Sequence, residues 1–219
     1  MRVAELSRRT GVSVASIKYY LREGLLPAGE RTGPNQADYG DGHVHRLRLV
    51  RALLDVGGLS VAAAKEVIGA VDDERVALHG ALGAAQEAVM RRTESLDDEA
   101  SSRAEKVVDD LVARRGWHVH PANPGRRSAV DVLATLERLE HGEVAGLLDT
   151  YAEAMEGVAD EEVGAVVVRE DRGRSVEGVV TGIVLGGALL LGLRGMAQES
   201  GSARRLGLGL GGGVQRSVK

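Results

Sequence analysis

The side chains best suited to chemistry lie in the run Arg9-Thr10-Gly11-Val12-Ser13-Val14-Ala15-Ser16-Ile17-Lys18-Tyr19-Tyr20. Between Ser13 and Tyr20 it brings together two hydroxyls, an ammonium and two phenols. These groups donate hydrogen bonds and neutralise anions. Lys18, with Arg22 one turn further on, suits phosphate oxygens, contacts that supply position and salt-dependent affinity rather than sequence choice. Ser16 suits a base edge or a phosphate, and a single hydroxyl discriminates weakly between bases. Ser13 is shared with a helix-capping role. Of the two adjacent phenols, Tyr19 is expected to reach phosphate and Tyr20 to pack inward. Arg31 adds a further guanidinium for phosphate.

Positioning these groups requires two short helices and a turn. Val3 to Arg9 reads as a first helix, Gly11 as the turn, and Ser13 to Glu23 as a second helix with Val14, Ile17 and Leu21 inward and Gly24 as its C-cap. Polar groups on the outer face of such a second helix can enter a DNA major groove. Pro27 to Gly42 holds four glycines and two prolines, a loop or small hairpin long enough to form a wing. Val44, Leu47, Val50 and Leu54 repeat at helical spacing, Gly57-Gly58 ends that helix, and Ser60 caps a fourth whose apolar face is Ala64, Val67, Ile68 and Val71. Residues 1–72 thus form a winged helix-turn-helix.

Composition agrees with a helical protein. The 219 residues are 43% hydrophobic and 27% charged, with one tryptophan (Trp117) and no phenylalanine, so the core is built from Ala, Val and Leu in close helix packing. Net charge is −4, yet residues 1–51 hold nine Lys/Arg against five Asp/Glu, a basic head on an acidic body. No cysteine is present, which excludes disulfides, iron–sulfur clusters and thiolate-based sensing. There is no phosphate-binding glycine loop after a strand, no serine elbow and no paired-carboxylate context, so no enzyme is expected. His118, His120 and His141 lack helical ligand spacing and read as solvated; no metal or other cofactor is expected.

Beyond the head, Leu78, Leu82, Ala85, Val89 and Leu96 form a heptad seam, interrupted at Arg92. A single helix from Asp73 to Leu96 is expected to pair with its copy in a second chain, with residues 73–115 as dimerisation and linker helices. Gly116 to Gly125 reads as a domain linker. Residues 118–200 then form an all-α domain, with helices at Ala129–His141 (Ser128 and Asp131 resembling a capping box), Glu143–Ala159, Val163–Arg169 and Val176–Gln198. Residues 201–219 are a glycine-rich basic tail. The uncharged run Gly178 to Leu193 has 16 residues, short of the roughly 20 that span a bilayer, so it is expected to be buried by protein and no membrane is implied. With no signal-peptide pattern, the protein is expected in the cytoplasm. Three roles stay open for the C-terminal domain: dimer stabilisation, binding of a small apolar effector, or a protein partner.

The first 71 residues resemble the DNA-binding domain of the MerR family of bacterial transcription regulators. The resemblance rests on Glu5-Leu6-Ser7-Arg8-Arg9-Thr10-Gly11-Val12-Ser13, Ser16-Ile17-Lys18-Tyr19-Tyr20, Arg22-Glu23-Gly24-Leu25-Leu26 with Pro27, Tyr39 at the end of the wing, His45-Arg46-Leu47, and Gly57-Gly58-Leu59-Ser60. Leu21 stands where a glutamate is usual, Ala15 where an arginine is common, and Asn35-Gln36-Ala37 where the wing usually reads Gly-Tyr-Arg. The resemblance implies DNA contacts from the wing, here with Asn35 and Gln36 as neutral donors beside Tyr39. It also implies a homodimer on double-stranded promoter DNA at an inverted-repeat operator. There it would distort the spacer and act on RNA polymerase indirectly. The alternative is a small-molecule-binding or protein-interaction protein whose N-terminal domain only docks.

Overall fold

The structure, a computed structural model, describes residues 1–33, 36–73, 75, 78–90, 96–167 and 172–207. It is mainly α, with one two-stranded antiparallel sheet among the described residues. Helix α1 (Val3–Thr10) ends at Gly11, whose φ of 69° is the left-handed conformation glycine adopts without strain. Helix α2 (Val14–Glu23) starts on Ser13, whose hydroxyl accepts the Ser16 N–H, and ends at Gly24 in the same left-handed geometry. Strands β1 (Glu30–Gly33) and β2 (Gln36–Asp38) pair Glu30 with Asp38 and Arg31 with Ala37, with a bulge between Arg31 and Gly33. Helix α3 (Asp41–Arg51) continues into a π-helical turn, Ala52–Val56, and α4 (Val61–Asp72) begins on Ser60. Leu6, Val12, Ile17, Leu26, Val44 and Leu47 form a buried cluster beneath α1, α2 and the wing.

The second cluster is not confined to this N-terminal unit. Leu25, Val50, Leu53, Leu59, Ala64, Val67 and Ile68 pack with Ala85 of α5 (Leu78–Val89) and with Val180 and Val184. These valines belong to a continuous helix made of α10 (Arg172–Thr181), a π-helical turn (Gly182–Gly186) and α11 (Gly187–Arg205). The residue 72 boundary drawn from the sequence therefore cuts through one hydrophobic core.

Between these elements lies a helical hairpin. In α6 (Glu99–Arg115) and α7 (Pro124–Arg138), Ala100, Ala104, Val108, Val130 and Ala134 are buried together, and small residues let the backbones approach. Three ion pairs, Asp98–Arg138, Arg103–Glu137 and Asp109–Arg126, each 2.7 Å, run down the hairpin in antiparallel order. Gly116 to Asn123 is therefore a connection within one packed unit rather than a linker between domains. Helix α8 (Gly142–Ala145) leads to α9 (Leu148–Val167), which is tied back by Trp117 Nε1 donating to Glu156 at 2.8 Å.

Four expectations are corrected. The helix expected over Asp73–Leu96 is α5 alone among the described residues; Leu96 lies outside it and is 62% exposed. Within the proposed seam, Ala85 is fully buried by its own chain, Leu82 is half-buried and Val89 exposed, while the Leu78 side chain and Arg92 lie outside the described residues. A heptad spacing marks an apolar stripe without saying which chain covers it. Helix α7 begins at Asn123, whose side chain accepts the Arg126 N–H, so Ser128 is inside the helix and is no cap. Finally, Val176–Arg205 is 30 residues with a window of mean hydropathy 2.0, long and apolar enough by length and composition to cross a membrane. One face of its first half is covered, with Val176, Val180 and Val184 buried, but Leu189, Leu191, Leu193 and Met196 are exposed, so the expected full burial holds only for that face. The bonding of Val180 and Val184 into the N-terminal core favours a helix of this fold over a bilayer span.

Candidate nucleic-acid interface

Helix α2 and the wing are set side by side by their backbones. The Tyr39 N–H donates to the Met1 carbonyl at 2.8 Å, so the segment entering α1 holds the base of the wing. Gly29 is required there: a Cβ would meet the Asp38 carbonyl at 2.6 Å and the Tyr39 ring at 2.9 Å. The result is a cleft of about 310 Å³ between α2 and the wing, lined by Arg2, Lys18, Arg31, Gln36 and Tyr39 among others.

The sequence-derived residues divide within this geometry. Lys18, Arg31 and Gln36 converge on the cleft and are exposed. Neither Lys18 nor Arg31 has an ion-pair partner among the described residues, so both charges face solvent unneutralised. Arg22 is 71% exposed, lies 3.5 Å from the Glu23 carboxylate, and sets its guanidinium 5.1 Å from the Tyr19 ring centroid. That stacking presents the Tyr19 ring and the Arg22 charge as one unit beside Lys18. Tyr20 packs into both cores, and burial, with Asp55 second, pushes its phenol up from the ordinary value of 10.0. Tyr20 thus packs inward as expected, and Tyr19 stays outside both clusters. Ser13 and Ser16 share a hydroxyl–hydroxyl bond of 2.8 Å at the start of α2, so each already has a local partner. Asn35 lies outside the described residues.

Tyr39 is corrected from contact to support. Its side chain is 9% exposed, packs in the Leu6–Ile17–Leu47 cluster, and meets the His43 ring edge-on at 5.1 Å. It forms the back of the cleft. Arg2, whose residue type alone fits a phosphate contact and a plain surface charge equally, lies on the cleft and donates to Thr32 Oγ1 at 2.8 Å, with Asp38 at 3.4 Å. Only the folding of the first residues against the wing reveals it, and no local spacing carries that signal. Of the other basic residues, Arg46 is taken up by Asp72, and Arg48 is exposed on α3. His120 Nδ1 accepts the Ala122 N–H and His141 bonds Glu143, so these imidazoles serve local turns.

A family model described as MerR HTH family regulatory protein matches residues 1–70. A crystal structure of SCO5550 from Streptomyces coelicolor A3(2), assigned as a transcriptional regulator, is 40% identical, with a TM-score of 0.70 over 96% of this chain and 100% of that one. Residues 1–70 belong to the MerR family of helix-turn-helix regulators. The match to SCO5550 extends the likeness past the winged helix-turn-helix to nearly the whole molecule. Among curated proteins, the heavy metal-dependent transcription regulator 2 of Rhizobium meliloti is 41% identical over 68 residues, 31% of this chain and 46% of its own length. The mercuric resistance operon regulatory protein of Bacillus cereus is 32% identical over 71 residues, 32% of this chain and 53% of its own. The chain thus spans about half the length of the curated relatives it matches. MerR proteins are DNA-binding transcription regulators, not enzymes, and residues 1–70 of this chain carry their DNA-binding domain.

Proposed function

We propose that this MerR-family regulator binds an inverted-repeat operator within a promoter, as a cytoplasmic homodimer, and distorts the spacer so that RNA polymerase engages both promoter elements. The observation that carries the reading is the pair of unneutralised cations, Lys18 and Arg31, facing one cleft from α2 and from the wing. A helix in the major groove with a wing on the flanking backbone needs positive charge at both places. One such unit reads one half-site, and a two-fold symmetric operator calls for two.

The seam on α5 does not supply the dimer contact as drawn, because Ala85 is spent inside the chain. A different face supports dimerisation: Thr181, Gly182, Leu185, Gly186 and Leu189 line an open concavity of about 850 Å³ beside His45 and Glu177. The metals in the names of the curated relatives are not carried over, since those likenesses span 68 and 71 residues and this chain offers no thiolate. Footprinting across the promoter of the protein's own gene tests the reading. A protected inverted repeat with enhanced cleavage at its centre is expected. Protection without central enhancement overturns the distortion, and absence of any DNA binding overturns the whole.

A further inference from the structure

Helices α7, α9 and α11 diverge around a cleft of about 900 Å³, within the size range of small-molecule sites. Its walls are apolar: Leu133 and Leu136 from α7, Met155 from α9, and Leu190 from α11. Along α7 the lining runs from Gly125 to Leu136, a rise of about 16 Å. That length suits an extended chain better than a compact ring system.

The walls carry one charge, the Arg194 guanidinium, and no carboxylate. Arginines of the α6–α7 hairpin are held by acids, Arg114 by Asp149, Arg115 by Glu156, Arg126 by Asp109 and Arg138 by Asp98, whereas on α11 Arg204 bonds only the Ser200 hydroxyl among the described residues. Arg194 has no carboxylate partner among the described residues and rests 5.7 Å from the Tyr151 ring centroid. A cation fixed over an aromatic ring, at the edge of an otherwise apolar cleft, suits an anionic head group on an apolar body.

We infer that this cleft binds an anionic amphiphile, with an unbranched apolar chain along α7 and a carboxylate at Arg194. Isothermal titration calorimetry on the full chain, without DNA, with decanoate, 1-decanol and decyltrimethylammonium as probes, tests this. Decanoate should bind saturably at one per chain, about threefold to tenfold more tightly than 1-decanol, with the ammonium weakest. Arg194→Gln should erase the difference between decanoate and 1-decanol and leave 1-decanol unchanged. Val132→Glu, at a lining position that is 54% exposed, should weaken decanoate further by adding a like charge. Both positions are exposed, so the variants should keep their circular dichroism and their DNA footprint. No saturable decanoate binding, equal affinity for the three probes, or decanoate binding indifferent to Arg194→Gln would overturn the inference. So would a silent decanoate titration with Val132→Glu converting a dimer to a monomer in sedimentation, because a second copy would then fill the cleft. A failed titration with an intact footprint leaves the regulator reading standing.

Discussion

Val184 seats its Cγ1 methyl on the backbone of Gly57, at 2.1 Å from where a Cβ on Gly57 would stand. The contact joins two π-helical turns, Ala52–Val56 at the end of α3 and Gly182–Gly186 in the C-terminal helix. Gly57 has φ −73°, so glycine is needed there for space and not for conformation. Gly57→Ala should therefore destabilise the chain by about 1–3 kcal/mol through overpacking. Val184→Ala in the same chain should recover part of the loss. Recovery should stay incomplete, because the added Cβ would still meet the Leu53 carbonyl at 2.8 Å. Urea titrations of the two single variants and the double variant give the coupling directly. Additive losses would show that the two residues do not share this contact.

Because Val180 and Val184 are buried in the same cluster as Leu53 and Val67, the DNA-binding unit depends on a helix more than a hundred residues away in sequence. Cutting the chain after residue 72 removes both valines and Ala85 from that core. Each buried valine contributes about 1.5–3 kcal/mol, against a typical total of about 5–15 kcal/mol. The fragment 1–72 should melt well below the full chain and bind a hydrophobic dye at room temperature. A fragment as stable as the whole would show that the C-terminal helix only rests on the domain.

The contrast between the two halves explains what could be read from sequence. Ser13, Gly11 and Gly24 mark helix ends by local hydrogen bonds and by one left-handed residue each, so α1 and α2 were legible to within a residue. Lys18 and Arg31 were legible as phosphate candidates by residue type and place, but their lack of an ion-pair partner among the described residues, with Glu30 adjacent to Arg31, comes only from the fold. Tyr39 was not legible as core, since its burial comes from Leu6, Ile17 and Leu47 across the domain. Ala85 and Val180 carry the same apolar signal whether a partner chain or their own chain covers them. The start of α7 was misplaced because Ser128 and Asp131 imitate a cap that Asn123 and Pro124 supply five residues earlier.

Lys18→Ala and Arg31→Ala should each weaken binding to operator and to random duplex alike, with the salt slope reduced by about 1 per residue. Ser16→Ala should have a smaller effect, since its hydroxyl is already bonded to Ser13 at 2.8 Å. Tyr39→Ala should act through folding, costing about 3–5 kcal/mol as a truncated core aromatic. Salt-dependent titrations with denaturation curves on the same preparations separate the two kinds of effect. An unchanged salt slope for Lys18→Ala would place it off the interface.

Asp98 carries two tasks at once. One oxygen caps α6 by accepting the Ser101 N–H at 2.9 Å, and both oxygens accept from the Arg138 guanidinium, at 2.7 and 3.0 Å. The Arg138 hydrogen bonds first, and the Ser101 N–H second, hold its carboxyl well below the ordinary value of 3.8. A folded pKa below the unfolded one means that the stabilisation is present above the unfolded value and is lost as pH falls through the folded one. The α6–α7 hairpin should therefore begin to lose stability below about pH 4. The loss should be modest, because the side chain is 41% exposed and water screens the pair. Asp98→Asn can keep the cap but not the charged grip on Arg138, so it should lower stability at pH 7 and flatten the acid limb of the urea midpoint. Asp98→Ala loses the cap as well and should fall further still. Equal stabilities for the asparagine and alanine variants would mean that the N-cap contributes nothing there, and an acid limb unchanged in both would assign the acid sensitivity to another carboxylate.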